Sequence, residues 1–339
     1  GNLLTAERIR ALKAIREQER VTLVTTFDAL MNTMAPIEKM WENVLTLEQG
    51  QLLDLKEIQA ALIRMGYEKE YQVQTMGQFS VRGGILDVFP LTEENPIRIE
   101  LWGDEIDTIR YFDCESQKSI ENIDRVSIYP AAELVLSDEE KAGGIEKLKA
   151  EAKRVSDKLR KQMKTEEAHR VTVMADELTE EWGELSMYAG MDAFLSYFFD
   201  ERVGILDYFN PSDSLIFFDE LTRCTEQGKL TETEFSESMK QRLAMGYILP
   251  GQMNGLFTEK EIVAKLGKYS CIALAALDNK ANGLHQLGSY GIHCQSVSPY
   301  NNSFELLIKD LKRYKKNGYR VILISGSRTR AKRLSEDIT

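Results

Sequence analysis

Three groups of residues have the types and spacing to do chemistry. The first is Leu215-Ile216-Phe217-Phe218-Asp219-Glu220, in which four apolar residues deliver two carboxylates to the end of a strand. In a nucleotidase the Asp of such a pair holds Mg²⁺ and the Glu positions water. That chemistry also requires a glycine-rich loop ending in Gly-Lys-Ser/Thr to cradle the phosphates, and no such loop occurs in the sequence. Gly326-Ser327-Arg328-Thr329 follows an apolar run and opens a helical pattern, which suits an anion at a helix N-terminus, but the lysine and the glycine spacing are missing. The second group is the soft ligands. Cys114, Cys224, Cys271 and Cys294 are scattered, and His293-Cys294 is the one adjacent pair. A buried strand pair fits it better than a metal. HExxH, GxSxG and GxGxxG are absent from the sequence, so neither a catalytic residue nor a metal site is read from it.

The third group is different in kind. In Ile97-Arg98-Ile99-Glu100-Leu101-Trp102 the apolar and polar positions alternate, and residues two apart on a strand share a face. Ile97, Ile99 and Leu101 form the core side, so Arg98, Glu100 and Trp102 are expected together on the water side. Arg82 and Arg110 lie on neighbouring strands and can join them. An outward tryptophan among arginines has the composition of a protein-binding hot spot. The same pattern also describes a tryptophan covering a domain seam, with its arginines solvated or paired to Glu100. Pattern alone leaves both readings open.

The elements around these residues come from the rest of the chain. At 339 residues it is long enough for two or three domains with real cores. No apolar run reaches the roughly 18 residues of a membrane helix, and the first residues lack a signal-peptide layout, so cytoplasmic residence and no membrane partner are the expectation. The formal net charge is −11. Broad nucleic-acid binding works by neutralising phosphates with Lys and Arg, so a protein partner is the better expectation.

The N-terminal segment reads as the end of an α/β unit. Thr5 is placed as a helix cap ahead of Ile9, Leu12 and Ile15, Val21–Thr25 reads as a short strand, Thr26 caps a further helix, and Pro36 closes the segment. A parallel sheet of this kind normally needs strands that come earlier. Val44–Leu47 reads as a strand, and Asp54 caps a helix carrying Leu55, Ile58, Leu62 and Met65, with Gly66 after its end. The period then changes to two. Strands are expected around Phe79–Arg82, Ile85–Phe89, Ile97–Trp102, Ile106–Phe112 and Val126–Tyr129, with turns at Gly83-Gly84 and Gly103-Asp104.

From about Glu133 the helical period returns. Ile145, Leu148, Ala152, Val155, Leu159 and Met163 form one stripe. The opposite, basic face from Lys147 to Lys164 is read as a solvated surface rather than a nucleic-acid stripe. Val171–Met174 reads as a strand, with helical, aromatic-rich sequence on to Phe199. Beyond Pro211, Leu215–Phe218, Cys271–Leu274, His293–Ser296 and Arg320–Ser325 read as strands of a doubly wound α/β pattern, with a helix over Phe304–Lys316 closed by Gly318. The fold class is therefore α/β: a doubly wound, largely parallel sheet domain interrupted by a small α+β domain with an antiparallel sheet.

The runs GQFSVRGGILDVFP, IRIELWGDEID, IRYFDCESQKSIENI and YPAAE resemble the N-terminal UvrB-like module of the Mfd family, the bacterial transcription-repair coupling factors. The likeness covers nearly the whole chain. Residues 1–43 resemble the end of subdomain 1a, 44–132 the inserted domain 2, and 133–339 subdomain 1b. A UvrB proper usually keeps Asp-Glu-Ser-His where this sequence has Asp219-Glu220-Leu221-Thr222, which favours the coupling factors and a vestigial Walker B-like pair. The alternative is a UvrB-type DNA helicase and excision-repair core with a functional ATP site.

The resemblance implies that domain 2 recruits UvrA, the damage-recognition ATPase, with Arg82, Arg98, Glu100 and Trp102 at its contact positions. Ser80 stands where UvrB commonly has a further arginine. It implies a non-catalytic module without a cofactor. ATP and Mg²⁺ would serve motor domains elsewhere in a parent DNA translocase, whose other domains would engage RNA polymerase and DNA. A C-terminal domain of that parent would cover the UvrA face in an autoinhibited state.

Overall fold

The computed structural model describes residues 2–18, 20–184, 190–276, 283–297, 299–301 and 303–338. These fall into two compact units, Gly1–His285 and Gln286–Thr339. The chain is an α/β protein interrupted by a largely antiparallel sheet segment.

Three helices open the first unit: α1 (Asn2–Glu17), α2 (Phe27–Met31) and α3 (Ile37–Trp41). Thr26 caps α2 by accepting a hydrogen bond from the Ala29 N–H, as its position predicts. Thr5 lies inside α1 rather than at its cap, because the helix already runs from Asn2. Ile9 and Leu12 are buried from it. Val21–Thr25 is not a strand. Val24 is 90% exposed, and among the described residues no neighbour pairs with this segment; β propensity without a ladder partner does not make a strand.

The next segment runs β1 (Leu45–Glu48), α4 (Leu55–Arg64), β2 (Glu68–Lys69), β3 (Gln78–Arg82), β4 (Ile85–Val88), β5 (Ile97–Trp102), β6 (Glu105–Phe112), β7 (Ser119–Ile123) and β8 (Arg125–Ile128). Strands β2 to β7 form one sheet in sequence order, parallel only at β2–β3, while β1 and β8 pair antiparallel. Asp54 caps α4 by accepting from the N–H groups of Lys56 and Glu57. Gly66 follows the helix at φ 89°, a conformation that favours glycine. The core side of the sheet is Phe79, Leu86, Val88, Ile97, Ile99, Ile106 and Ile109, closed over by Leu62 of α4, by Met65 just past its end and by Leu47, Val126 and Ile128 of the strand pair.

Then come α5 (Asp138–Lys161), α6 (Thr165–Glu184), α7 (Leu195–Phe198), β9 (Leu215–Asp219), α8 (Leu221–Ala244), α9 (Glu259–Leu266) and β10 (Ser270–Leu274). A full capping box at Ser137 and Glu140 starts α5. Leu148, Ala152 and Leu159 are buried along it, whereas Met163 lies past its end at φ 62° and is 87% exposed, outside the expected stripe. Val171–Met174 is helical, not a strand. Ala168, Val171, Ala175, Leu178 and Trp182 are buried from α6, and that 3.6-residue period over about four turns outweighs an apolar run of four. Of the aromatic-rich continuation to Phe199, residues 185–189 lie outside the described residues. Strands β9 and β10 pair in parallel, Leu215 opposite Ser270 through Asp219 opposite Leu274. They are the part of the expected doubly wound sheet formed among the described residues. Phe218, Leu221, Ile262 and Leu266 pack beside them with Phe27 and Met31 of α2.

In the second unit, α10 (Phe304–Lys316) is capped by Ser303 and followed by Gly318 at φ 80°, and α11 (Arg328–Ile338) completes it. His293–Ser296 and Arg320–Ser325 are not strands. Ile322 and Ile324 are 68% and 93% exposed, and no ladder partner faces either run among the described residues.

The end of α8 is locked to α6. Arg170 donates to the Met245 carbonyl at 2.5 Å and stacks 4.6 Å from the Tyr247 ring centroid. Gly246, at φ 73°, is placed so that a Cβ would lie 2.6 Å from the Glu167 carbonyl oxygen. Gly246→Ala therefore meets both a disfavoured backbone and a backbone clash. It is expected to cost about 2 kcal/mol or more, read as a lower midpoint in urea unfolding; an unchanged midpoint would contradict the packing.

Candidate protein-interaction face

The turn at Gly83-Gly84 fixes what lies opposite what. A two-residue connection places Arg82 opposite Ile85 and Ser80 opposite Asp87. Gly83 takes φ 60°, and a Cβ on Gly84 would sit 3.2 Å from the Leu101 carbonyl oxygen of β5. From that register one polar row crosses the sheet: Ser80, Asp87, Arg98, Arg110, Asn122. The next row is Arg82, Ile85, Glu100, Thr108. Both rows lie on the side opposite the core.

Arg98 and Arg110 are directly opposite each other, a pairing that repels if left alone. Each is matched to a carboxylate. Arg98 forms a bidentate fork on Asp87, Nε to Oδ1 at 2.7 Å and Nη2 to Oδ2 at 2.8 Å. Arg82 donates to the same Oδ2 at 2.9 Å. Arg110 forks onto Glu100, Nη1 to Oε2 at 2.8 Å and Nη2 to Oε1 at 2.5 Å, and Thr108 donates to Glu100 at 3.1 Å. The Arg98 guanidinium lies 4.3 Å from the centroid of the buried Phe112 ring and donates to Gln117 at 2.8 Å.

The face is graded rather than uniformly wet. The side chain of Asp87 is 1% exposed, that of Arg98 12%, that of Glu100 32% and that of Arg82 36%. Trp102, at the end of the row, is 84% exposed. Strand parity thus placed these residues on one side, but Arg98 and Glu100 are far less open than a water-facing row implies. Ser80 is buried too, with its hydroxyl donating to the Tyr71 carbonyl. Hydrogen bonds to Asp87 raise the pKa of Arg98 against the opposing effect of burial. The hydrogen bond from Arg110 is the chief cause that holds the Glu100 carboxyl below its ordinary value.

Trp102 sits opposite Glu105, just past a register shift between Glu100 and Leu101. The indole lines an open groove of about 700 Å³ together with Glu48, Gly50, Glu105, Asp107 and Arg125. Asp87 and Gln117 were not singled out from the sequence. The signal for Asp87 was present: a lone acid inside an apolar strand, three residues past a glycine turn that sets Ser80 opposite it. The signal for Gln117 was not, because it reaches Arg98 from the turn at Asp113–Gln117.

The Asp219-Glu220 pair lies apart from this face in the chain. Asp219 ends β9 exposed. Glu220 stands at φ 59°, and its carboxylate accepts from the Ala276 N–H at 2.8 Å, so it ties the β9–α8 junction to the segment that follows β10. In the second unit the Ser327 hydroxyl accepts from the Arg330 N–H at the start of α11. Among the described residues no group of three or more His, Cys, Asp or Glu side chains is arranged to hold a metal, and no helix is long and apolar enough to cross a membrane.

Comparison with known proteins converges on the same segment. Residues 45–134 match the family described as the UvrB interaction domain. Over 98% of its length the chain is 27% identical to a transcription-repair-coupling factor of Bacillus subtilis, 25% identical to one of Staphylococcus haemolyticus and 26% identical to one of Staphylococcus aureus. It spans 28% of the length of each of these relatives. These findings agree with the resemblance read from the RGGILDVFP block: residues 45–134 match the UvrB interaction domain, and the chain is similar along its length to part of the transcription-repair-coupling factors.

Two stability predictions follow from the grading of the face. Trp102→Ala should leave unfolding within about 0.5 kcal/mol of the parent, as an exposed substitution does. Arg98→Ala should cost about 3 kcal/mol, since it strips the bidentate partner from a buried carboxylate; urea unfolding separates the two, and equal losses would contradict this grading. Glu100 has a depressed folded pKa, so its contribution is complete above the unfolded value of about 4.3 and is lost as pH falls through the lower folded value. Glu100→Gln should therefore be less stable than the parent at pH 7 by up to about 1 kcal/mol, with the difference closing below about pH 4.

Proposed function

We propose that this chain is the recruitment module of a transcription-repair coupling factor and binds UvrA through the outer face of β3–β6. The observation that carries this reading is Trp102: an indole left 84% exposed at the end of a hydrogen-bonded strand, beside arginines whose geometry the fold has already set, within the segment that matches the UvrB interaction domain. Exposed indoles are the commonest anchors of protein interfaces, because one ring buries a large area for two side-chain torsions. Arg82 and Arg98 present their remaining N–H groups to acceptors on the partner, and such charge-assisted bonds are roughly twice as strong as neutral ones. Glu100 contributes indirectly, by holding Arg110.

The chain itself does no catalysis in this reading and takes no cofactor. Glu220 supports that view, because its carboxylate is engaged by the Ala276 N–H. In the parent protein, an ATP-driven DNA translocase, motor domains would supply hydrolysis and the contacts to DNA and stalled RNA polymerase. A C-terminal domain would cover the Trp102 face until the motor engages, and the chain without it binds UvrA constitutively.

The test is capture of purified UvrA by the immobilised chain. The parent is expected to retain UvrA without nucleotide activation, and Trp102→Ala to weaken it by about 2 kcal/mol, roughly 30-fold. Arg82→Ala should weaken capture in the same direction, and it is a cleaner probe than Arg98→Ala, which also loosens the sheet. Full retention by both variants would remove the interface. Titration with Mg-ATP in a calorimeter is expected to be flat; a saturating heat would favour a UvrB-type helicase core instead.

A further inference from the structure

We propose that Asp87 is the positioning residue of this face: it makes no contact with the partner, and it sets the two guanidinium groups in the orientation that the partner reads. The proposal rests on the UvrA reading above and deepens it.

Asp87 accepts three hydrogen bonds from two arginines that come from different strands, Arg82 on β3 and Arg98 on β5. Its 1% exposure leaves it no surface to offer a partner. What it controls is direction. The fork fixes Nε and Nη2 of Arg98, Gln117 takes a further bond from Nη2, and the Phe112 ring supports the guanidinium plane. Among the described residues Nη1 of Arg98, and Nε and Nη1 of Arg82, have no acceptor in the protein. Those N–H edges are what the clasp leaves available, and they match carboxylate or carbonyl oxygens on the partner. A solvated arginine loses much rotamer freedom when it binds; here that ordering is already complete in the folded chain.

The same carboxylate removes charge from the face. Asp87 and Glu100 set against Arg82, Arg98 and Arg110 leave one net positive charge. Geometry and charge therefore make opposite predictions for Asp87→Asn. If net charge governs binding, the variant gains a positive charge and holds an acidic partner more tightly. If positioning governs, the variant holds it less tightly, because an amide has one acceptor oxygen and turns an NH₂ toward a guanidinium.

The experiment is surface-plasmon kinetics of purified UvrA on the immobilised full chain, with folding of each variant checked by circular dichroism and thermal melting. Asp87→Asn is expected to dissociate about tenfold faster, with an association rate equal to or above that of the parent. Gln117→Asn is the second variant. Gln117 sits at φ 58°, which asparagine tolerates, and the shorter side chain withdraws the acceptor from Arg98 without touching the core. It should dissociate about threefold faster at unchanged melting temperature, and it decides the matter should Asp87→Asn fail to fold. Parent-like dissociation of the folded variants, with Trp102→Ala still defective, would overturn the role of Asp87 and leave the face intact. Parent-like binding by Trp102→Ala and Arg82→Ala as well would overturn the face, and the positioning role with it.

Discussion

Two guanidinium groups closing on one buried carboxylate is the interaction on which the outer face of the sheet depends. Asp87 alone would be a charge without solvent, and Arg98 opposite Arg110 would be a repelling pair. Joined, the three strands β3, β4 and β5 acquire side-chain cross-links on the side away from the hydrophobic core. The apolar residues hold the sheet from beneath, through Phe79, Leu86, Ile97 and Ile99, and the ion pairs hold it from above. A sheet fixed on both sides keeps its surface groups at constant spacing, which is what a docking face requires and a mobile loop does not supply.

The same residue types do other work elsewhere in the chain. At the end of β9 an Asp–Glu pair is again exposed in part, but Glu220 is turned onto the Ala276 N–H across the parallel pair. There the carboxylate, carried by a residue in the left-handed region, satisfies a backbone donor of the segment after β10. Comparable chemistry thus lies on a sheet face in one place and ties two chain segments together in another, and only the local geometry tells them apart.

Much of this was legible in the sequence, for definable reasons. The 97–102 alternation fixed which side chains share a side, because strand parity is rigid. The RGGILDVFP block carried the family likeness, and the Gly83-Gly84 turn held the register that sets Ser80 opposite Asp87. Exposure along the row was not legible. Parity says which side a residue is on, whereas the turn that brings Gln117 over Arg98 decides how much water reaches it. The four-residue apolar runs failed for a related reason. Val171–Met174 is too short to show its period alone, and the spacing from Ala168 to Trp182 makes it helix. Val21–Thr25 and Arg320–Ser325 have strand composition, but a ladder needs a second chain segment that composition does not specify.

The register shift between Glu100 and Leu101 separates the clasp from the indole. On one side lie the cross-linked rows; on the other lies the Gly103 hairpin tip with Trp102, Glu105 and the groove beside them. An extra residue in one strand increases local twist and interrupts the ladder, so the tip is mechanically a separate blade on a stiff handle. Such a division favours evolvability. A substitution at the blade changes the surface it presents, while the handle, where most substitutions would be destabilising, keeps the sheet beneath it in place.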